Sequence, residues 1–113
     1  MRKQIIENAA LEVATQIRTV EDCIEGALIE IADLQSKMLR ARSAAGVSTA
    51  TGHAALEQLS TAVQALVTAR GGMANCHGEL REAKQFVPGL RTVSFGDNEC
   101  PKAMARADLR IVA

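Results

Sequence analysis

Residues Ala65–Cys76 read ALVTARGGMANC. Helix-forming residues stand on both sides of Gly71-Gly72, and each glycine inside a helix costs roughly 1 kcal/mol relative to alanine. The fold depends on whether the helix stops at this pair or runs through it. Apolar positions decide the point. Ala55, Leu59, Ala62, Leu66, Ala69, Met73, Cys76, Leu80, Ala83 and Val87 alternate by four and three without a miss. A break at the glycines would let Met73, Cys76 and Leu80 drift out of phase with Leu59, Leu66 and Ala69. They stay in phase, so one helix is expected from about 51 to 86.

A second row of the same kind precedes it. Ile6, Ala10, Val13, Ile17, Val20, Ile24, Ala27, Ile31, Leu34 and Met38 repeat the alternation. Such a heptad seam marks helices that pack along their length. Neither proline, Pro88 or Pro101, interrupts these rows, and proline is poorly tolerated inside a helix. The first helix is expected over about 4–44. The connector RARSAAGVSTATG (40–52) supplies Gly46 for a left-handed helix end. Ser48, Thr49 or Thr51 could cap the next helix, and Arg40 and Arg42 lie where a cation favours the first helix's C-terminal dipole. A short connector between long helices gives an antiparallel hairpin.

Folding the chain about residues 46–47 predicts a register. Ile31 meets Ala62, Ala27 meets Leu66, Ile24 meets Ala69, Ile17 meets Cys76 and Val13 meets Leu80, so large mostly faces small. On the flanks Glu21 falls near Arg70, Glu7 near Lys84 and Leu28 near Val63. The fold class is therefore all-α: a hairpin domain over 1–87, followed by a short irregular or weakly β tail over 88–113. RTVSF and DLRIVA alternate over a few residues, a weak strand signal.

Bulk composition narrows the function. The 113 residues carry 13 basic and 13 acidic side chains, without the basic excess typical of nucleic-acid binders. Phe86 and Phe95 are the only aromatics, so stacking platforms for bases are scarce. No apolar run reaches the roughly 18 residues of a membrane span, and Glu7, Asn8 and Glu12 interrupt any signal-peptide core. Cys23, Cys76 and Cys100 include no CxxC pair and fit reduced thiols. A cytoplasmic protein with no membrane or nucleic-acid partner is expected.

Two helices bury one seam, yet Leu11, Leu28, Leu39, Leu56, Val63, Val67 and Phe86 lie off it. Leu28, Leu56 and Val63 cluster toward the connector, a candidate self-association surface that would assemble hairpins into a bundle. The alternative is that the tail folds over the stripe. Gly71 and Gly78 share a line on the second helix, with Gly72 and Asn75 between them. Glycines clustered in a helix allow close approach of another helix or a ligand, or mark a surface that merely tolerates them. Arg70, His77 and Arg81 flank the patch and could hold an anion. Cys76-His77 has no second ligand pair, and a closed zinc site needs about four donors. Cys76 is therefore read as an inward core residue with His77 at its edge, and no metal or cofactor is expected. His53, in the first turn of the second helix, reads as solvated, and GDNEC (96–100) as a turn. No nucleophile–base set is visible, so no enzymatic activity is expected.

The hairpin layout together with GLRTVSFGD (89–97) resembles small uncharacterised helical-hairpin proteins carried by phages and prophages. The resemblance implies a phage accessory or anti-defence role exerted on a host protein. The reading that follows is a self-associating, non-enzymatic binding protein. The alternative is an oligomeric sponge for a small anionic, nucleotide-like ligand held by Arg70, Gly71, His77 and Gly78.

Overall fold

The structure is a computed structural model that describes residues 2–89. The tail's strand signal, the GDNEC turn and Cys100 lie outside the described residues. Among the described residues two α-helices make the fold. Helix α1 spans Arg2–Ala45 and helix α2 spans His53–Ala83, followed by a 3-10 turn at Lys84–Phe86. They are joined as an all-α hairpin, and there is no strand among the described residues. Helix α2 runs through Gly71-Gly72 without a break, as the phase of the flanking seam requires.

The reversal between the helices is built from local bonds. Gly46 takes a left-handed φ of 68°, and its N–H donates to the Ser43 carbonyl at 3.1 Å. Arg42 Nη1 donates to the Val47 carbonyl at 2.9 Å. The cap of α2 differs from the expected hydroxyl. Gly52, at φ 79°, precedes His53, and its carbonyl accepts the Leu56 N–H at 3.2 Å. Glycine has no side chain to offer the first turn, and Ser48, Thr49 and Thr51 stand in the connector. Thr51 N–H instead closes a turn onto the Ser48 carbonyl at 3.0 Å.

The seam corrects the expected large-against-small pairing. On α2 the protected side chains include Leu56, Leu59, Val63, Leu66, Met73 and His77, and Val87 continues the row beyond the 3-10 turn. The leucine column is as expected, but its neighbour is displaced by one residue. Ala55, Ala62, Ala69, Cys76 and Ala83 are all exposed. The column 56–63–70–77–84 takes their place, with Arg70 at its exposed midpoint. On α1 Ala14, Glu21 and Leu28 are half-buried, while Val13 and Leu34 remain 47% and 48% exposed. The reason is the size of the side chains available. Turning α2 by one residue brings Leu56 and Val63 inward in place of Ala55 and Ala62. At about 0.8 kcal/mol per buried methylene, that exchange outweighs neat alternation of size. The same turn points Arg70 and His77 toward acidic residues of α1.

Asp22–Arg70 form one compact unit; α1 up to Glu21 and α2 from Gly71 onward build a second. In the first, Ile24, Leu28 and Ile31 share the protected face of α1, as Leu59, Val63 and Leu66 do on α2. In the second, the core is a single apolar side chain, Ile17, at 8% exposure. No helix among the described residues is long and apolar enough to cross a membrane.

Candidate functional site

The residues singled out around the glycines separate into two groups. Arg70 lies in the Asp22–Arg70 unit, where its Nε donates to Glu25 Oε1. The side chains are 60% and 50% exposed. The expected partner, Glu21, is instead beside His77: Nδ1 stands 3.6 Å from Glu21 Oε1. Glu25 lies one helical turn beyond Glu21, and the rotation of α2 aims Arg70 at that turn.

His77 is the most consequential correction. The residue expected at the seam's edge is buried to 8% exposure, while Cys76 is exposed with a free thiol. His77 occupies the 56–63–70–77–84 column that faces α1. The 3.6 Å approach to Glu21 is longer than a hydrogen bond, and the solvent-shielded Nδ1 has no hydrogen-bond partner. Buried polar atoms are nearly always paired, so an orphan marks an unmet chemical demand.

That atom belongs to a residue lining a cleft. Within the second unit, a cleft of about 190 Å³ opens between α1 and α2. Ala10, Val13, Ala14 and Ile17 form one wall, and Leu80, Ala83 and Val87 line the other side with His77, Arg81 and Lys84. The space exists because Ala10, Ala14 and Ala83 present single methyl groups where leucines would close the seam. Leu80 is left 40% exposed at its mouth. The walls can take an apolar group, and the basic residues can meet an acidic or aromatic one.

The glycines do not make a pocket of their own. Gly72 is exposed, Gly71 and Gly78 half-buried, and Asn75 exposed. A Cβ placed on Gly72 or Gly78 would meet nothing within 4 Å, so neither is held against another part of this chain. Leu28, Leu56 and Val63 are half-buried; part of their surface is already used inside the hairpin. His53 is solvated as expected, its Nε2 lying 3.0 Å from Glu57 Oε1 at the start of α2.

Sequence reasoning missed the cleft and the carboxylate at Glu25, and set Glu21 against Arg70 where the fold sets it beside His77. Spacing was the available signal: Arg70 and His77 are seven apart and share one face, and two acids one turn apart on α1 match them. Comparison with family models, curated proteins and solved structures returned no match.

Proposed function

We propose that this chain is a non-enzymatic helical-hairpin binding protein that self-associates through apolar surface its two helices leave uncovered. The carrying observation is the poverty of the core. Among the described residues Ile17 is the one buried hydrophobic side chain. Meanwhile Ile5, Ile29 and Phe86 are 68%, 63% and 86% exposed, and Leu11, Leu39 and Val67 are also exposed. Each such side chain gains about 1.5–3 kcal/mol when fully buried. A stable domain needs two apolar layers closed on each other, and a second copy supplies the missing one. A phage accessory role, acting on a host protein, is the biological setting suggested by the resemblance of GLRTVSFGD.

Light scattering over a dilution series tests the core of this reading. An oligomer is expected, with a thermal midpoint that rises with protein concentration by mass action. A monomer at every concentration, with a constant midpoint, would reject it.

A second reading has one specific observation in its favour: the unpartnered His77 Nδ1 lies beside a cleft that Arg81 and Lys84 also line. A small anionic ligand with an apolar body would suit these walls. Arg70 would not take part, being engaged by Glu25 in the other unit. Thermal shift with nucleotides and aliphatic carboxylates separates the readings, because a bound ligand stabilises the fold by about 2.7 kcal/mol at a hundredfold excess over Kd.

A further inference from the structure

We infer that Phe86 and the cleft of the second unit are the two halves of a reciprocal interlock, in which the phenyl ring of each copy seats between α1 and α2 of the other. The inference rests on the self-association proposed above and gives it a surface and a symmetry.

Among the described residues Phe86 is the most exposed of the large hydrophobic side chains, at 86%. It closes the 3-10 turn Lys84–Phe86, between two residues that line the cleft, Lys84 and Val87. Its own ring does not line that cleft. Knob and hole thus lie side by side on one patch, which is what a two-fold contact demands: the same surface on both copies, each supplying what the other lacks.

Size and chemistry agree. A dry apolar cavity of about 150 Å³ takes a benzene molecule, and this cleft measures about 190 Å³. Val13, Ala14, Ile17 and Leu80 offer the ring aliphatic walls. Arg81 stands among them, where a guanidinium can lie over an aromatic face. Glu79, Arg81 and Glu82 in the last turns of α2 and Lys84 in the 3-10 turn mix the two signs around the basic lining of the cleft, so an acid of one copy can stand against a base of the other.

The chain contains no tryptophan or tyrosine, so Phe86→Trp installs a single reporter. Its emission should be blue-shifted in concentrated protein and should move red as dilution separates the copies, in step with light scattering. Phe86→Ala should weaken association roughly a hundredfold or more, since two rings leave the interface, with helicity unchanged. Ala14→Leu, which retains a strong helix former and fills the cleft from α1, should expel the ring: in the Phe86→Trp background emission should be red at all concentrations. An indole that stays solvent-exposed in a chain that still oligomerises would overturn the interlock and leave self-association standing. A blue-shifted indole in a monomer would mean that the chain fills its own cleft, and would overturn both proposals. A wild-type chain that is monomeric throughout would do the same.

Discussion

Replacing Gly72 and Gly78 by alanine should stabilise the protein, and the size of the gain follows from their surroundings. Both lie inside α2, which runs His53–Ala83. Alanine is favoured over glycine in a helix interior by about 0.8–1.0 kcal/mol, because it loses less backbone entropy. A methyl group at either position meets nothing within 4 Å, so no steric cost offsets the gain. The sites are six residues apart, about 9 Å along the helix at 1.5 Å per residue, which is far enough for the effects to add within roughly 0.3–0.5 kcal/mol. The double variant should gain about 2 kcal/mol. In urea, with an m-value of roughly 2 kcal/mol/M, the midpoint should rise by about 1 M at unchanged slope. Circular dichroism at the helical band is the assay. Gly46→Ala is the opposing control: its φ of 68° is left-handed, and a side chain there should cost about 1–2 kcal/mol. The reasoning is refuted if Gly72→Ala or Gly78→Ala lowers the midpoint or disperses the oligomer. Either result would mean that another helix rests on the glycine backbone.

Four further outcomes are expected. Ile17→Ala removes the one buried apolar side chain of the described residues and should cost at least about 2 kcal/mol in urea unfolding. His77→Leu replaces a shielded nitrogen lacking a partner with apolar volume; it should stabilise by roughly 1 kcal/mol or more, and a loss instead would show that the approach to Glu21 holds the helices together. Arg70→Met should change stability by less than about 1 kcal/mol, because the Arg70–Glu25 pair is half exposed on both sides and such pairs contribute little; measurement at low and high salt checks this. In a Cys100→Ser background, Cys23 and Cys76, both exposed, should titrate rapidly with an aromatic disulfide reagent without denaturant, whereas an inward Cys76 would react only on unfolding.

The helices and their reversal were legible because they depend on long patterns. A break at Gly71-Gly72 would have scrambled the phase of Met73 and Leu80, and Gly46 stood where a left-handed helix end was needed. The facing surface was harder to read. On α2 the residues on both sides of the leucine column are apolar at first, Ala55 beside Leu56 and Ala62 beside Val63. Periodicity does not choose between columns one residue apart. Farther along, one column continues with Ala69, Cys76 and Ala83, the other with Arg70, His77 and Lys84, so hydropathy alone favours the wrong one. Side-chain size at 56 and 63, and the carboxylates at Glu21 and Glu25, decide otherwise. The cleft was illegible for a related reason. It is a deficit of volume at Ala10, Ala14 and Ala83, and a deficit appears only once the true facing residues are known. The anion patch drawn around Arg70 and His77 assumed that neighbours in sequence act together; the fold pairs Arg70 with Glu25 in one unit and leaves His77 Nδ1 without a hydrogen-bond partner, 3.6 Å from Glu21, in the other.

The bonds that reverse the chain have a kinetic consequence. Gly46 to Ser43, Thr51 to Ser48, His53 to Ala50 and Arg42 to Val47 all close within five residues, so the bend can form before any distant part of the chain is in place. Closing so small a loop takes on the order of 10–100 ns, and folding can then travel outward from the bend as a zipper that starts from its closed end. Damage near the bend would slow the approach to the native state; damage near His77 and Val87, the last teeth to engage, would mainly hasten escape from it.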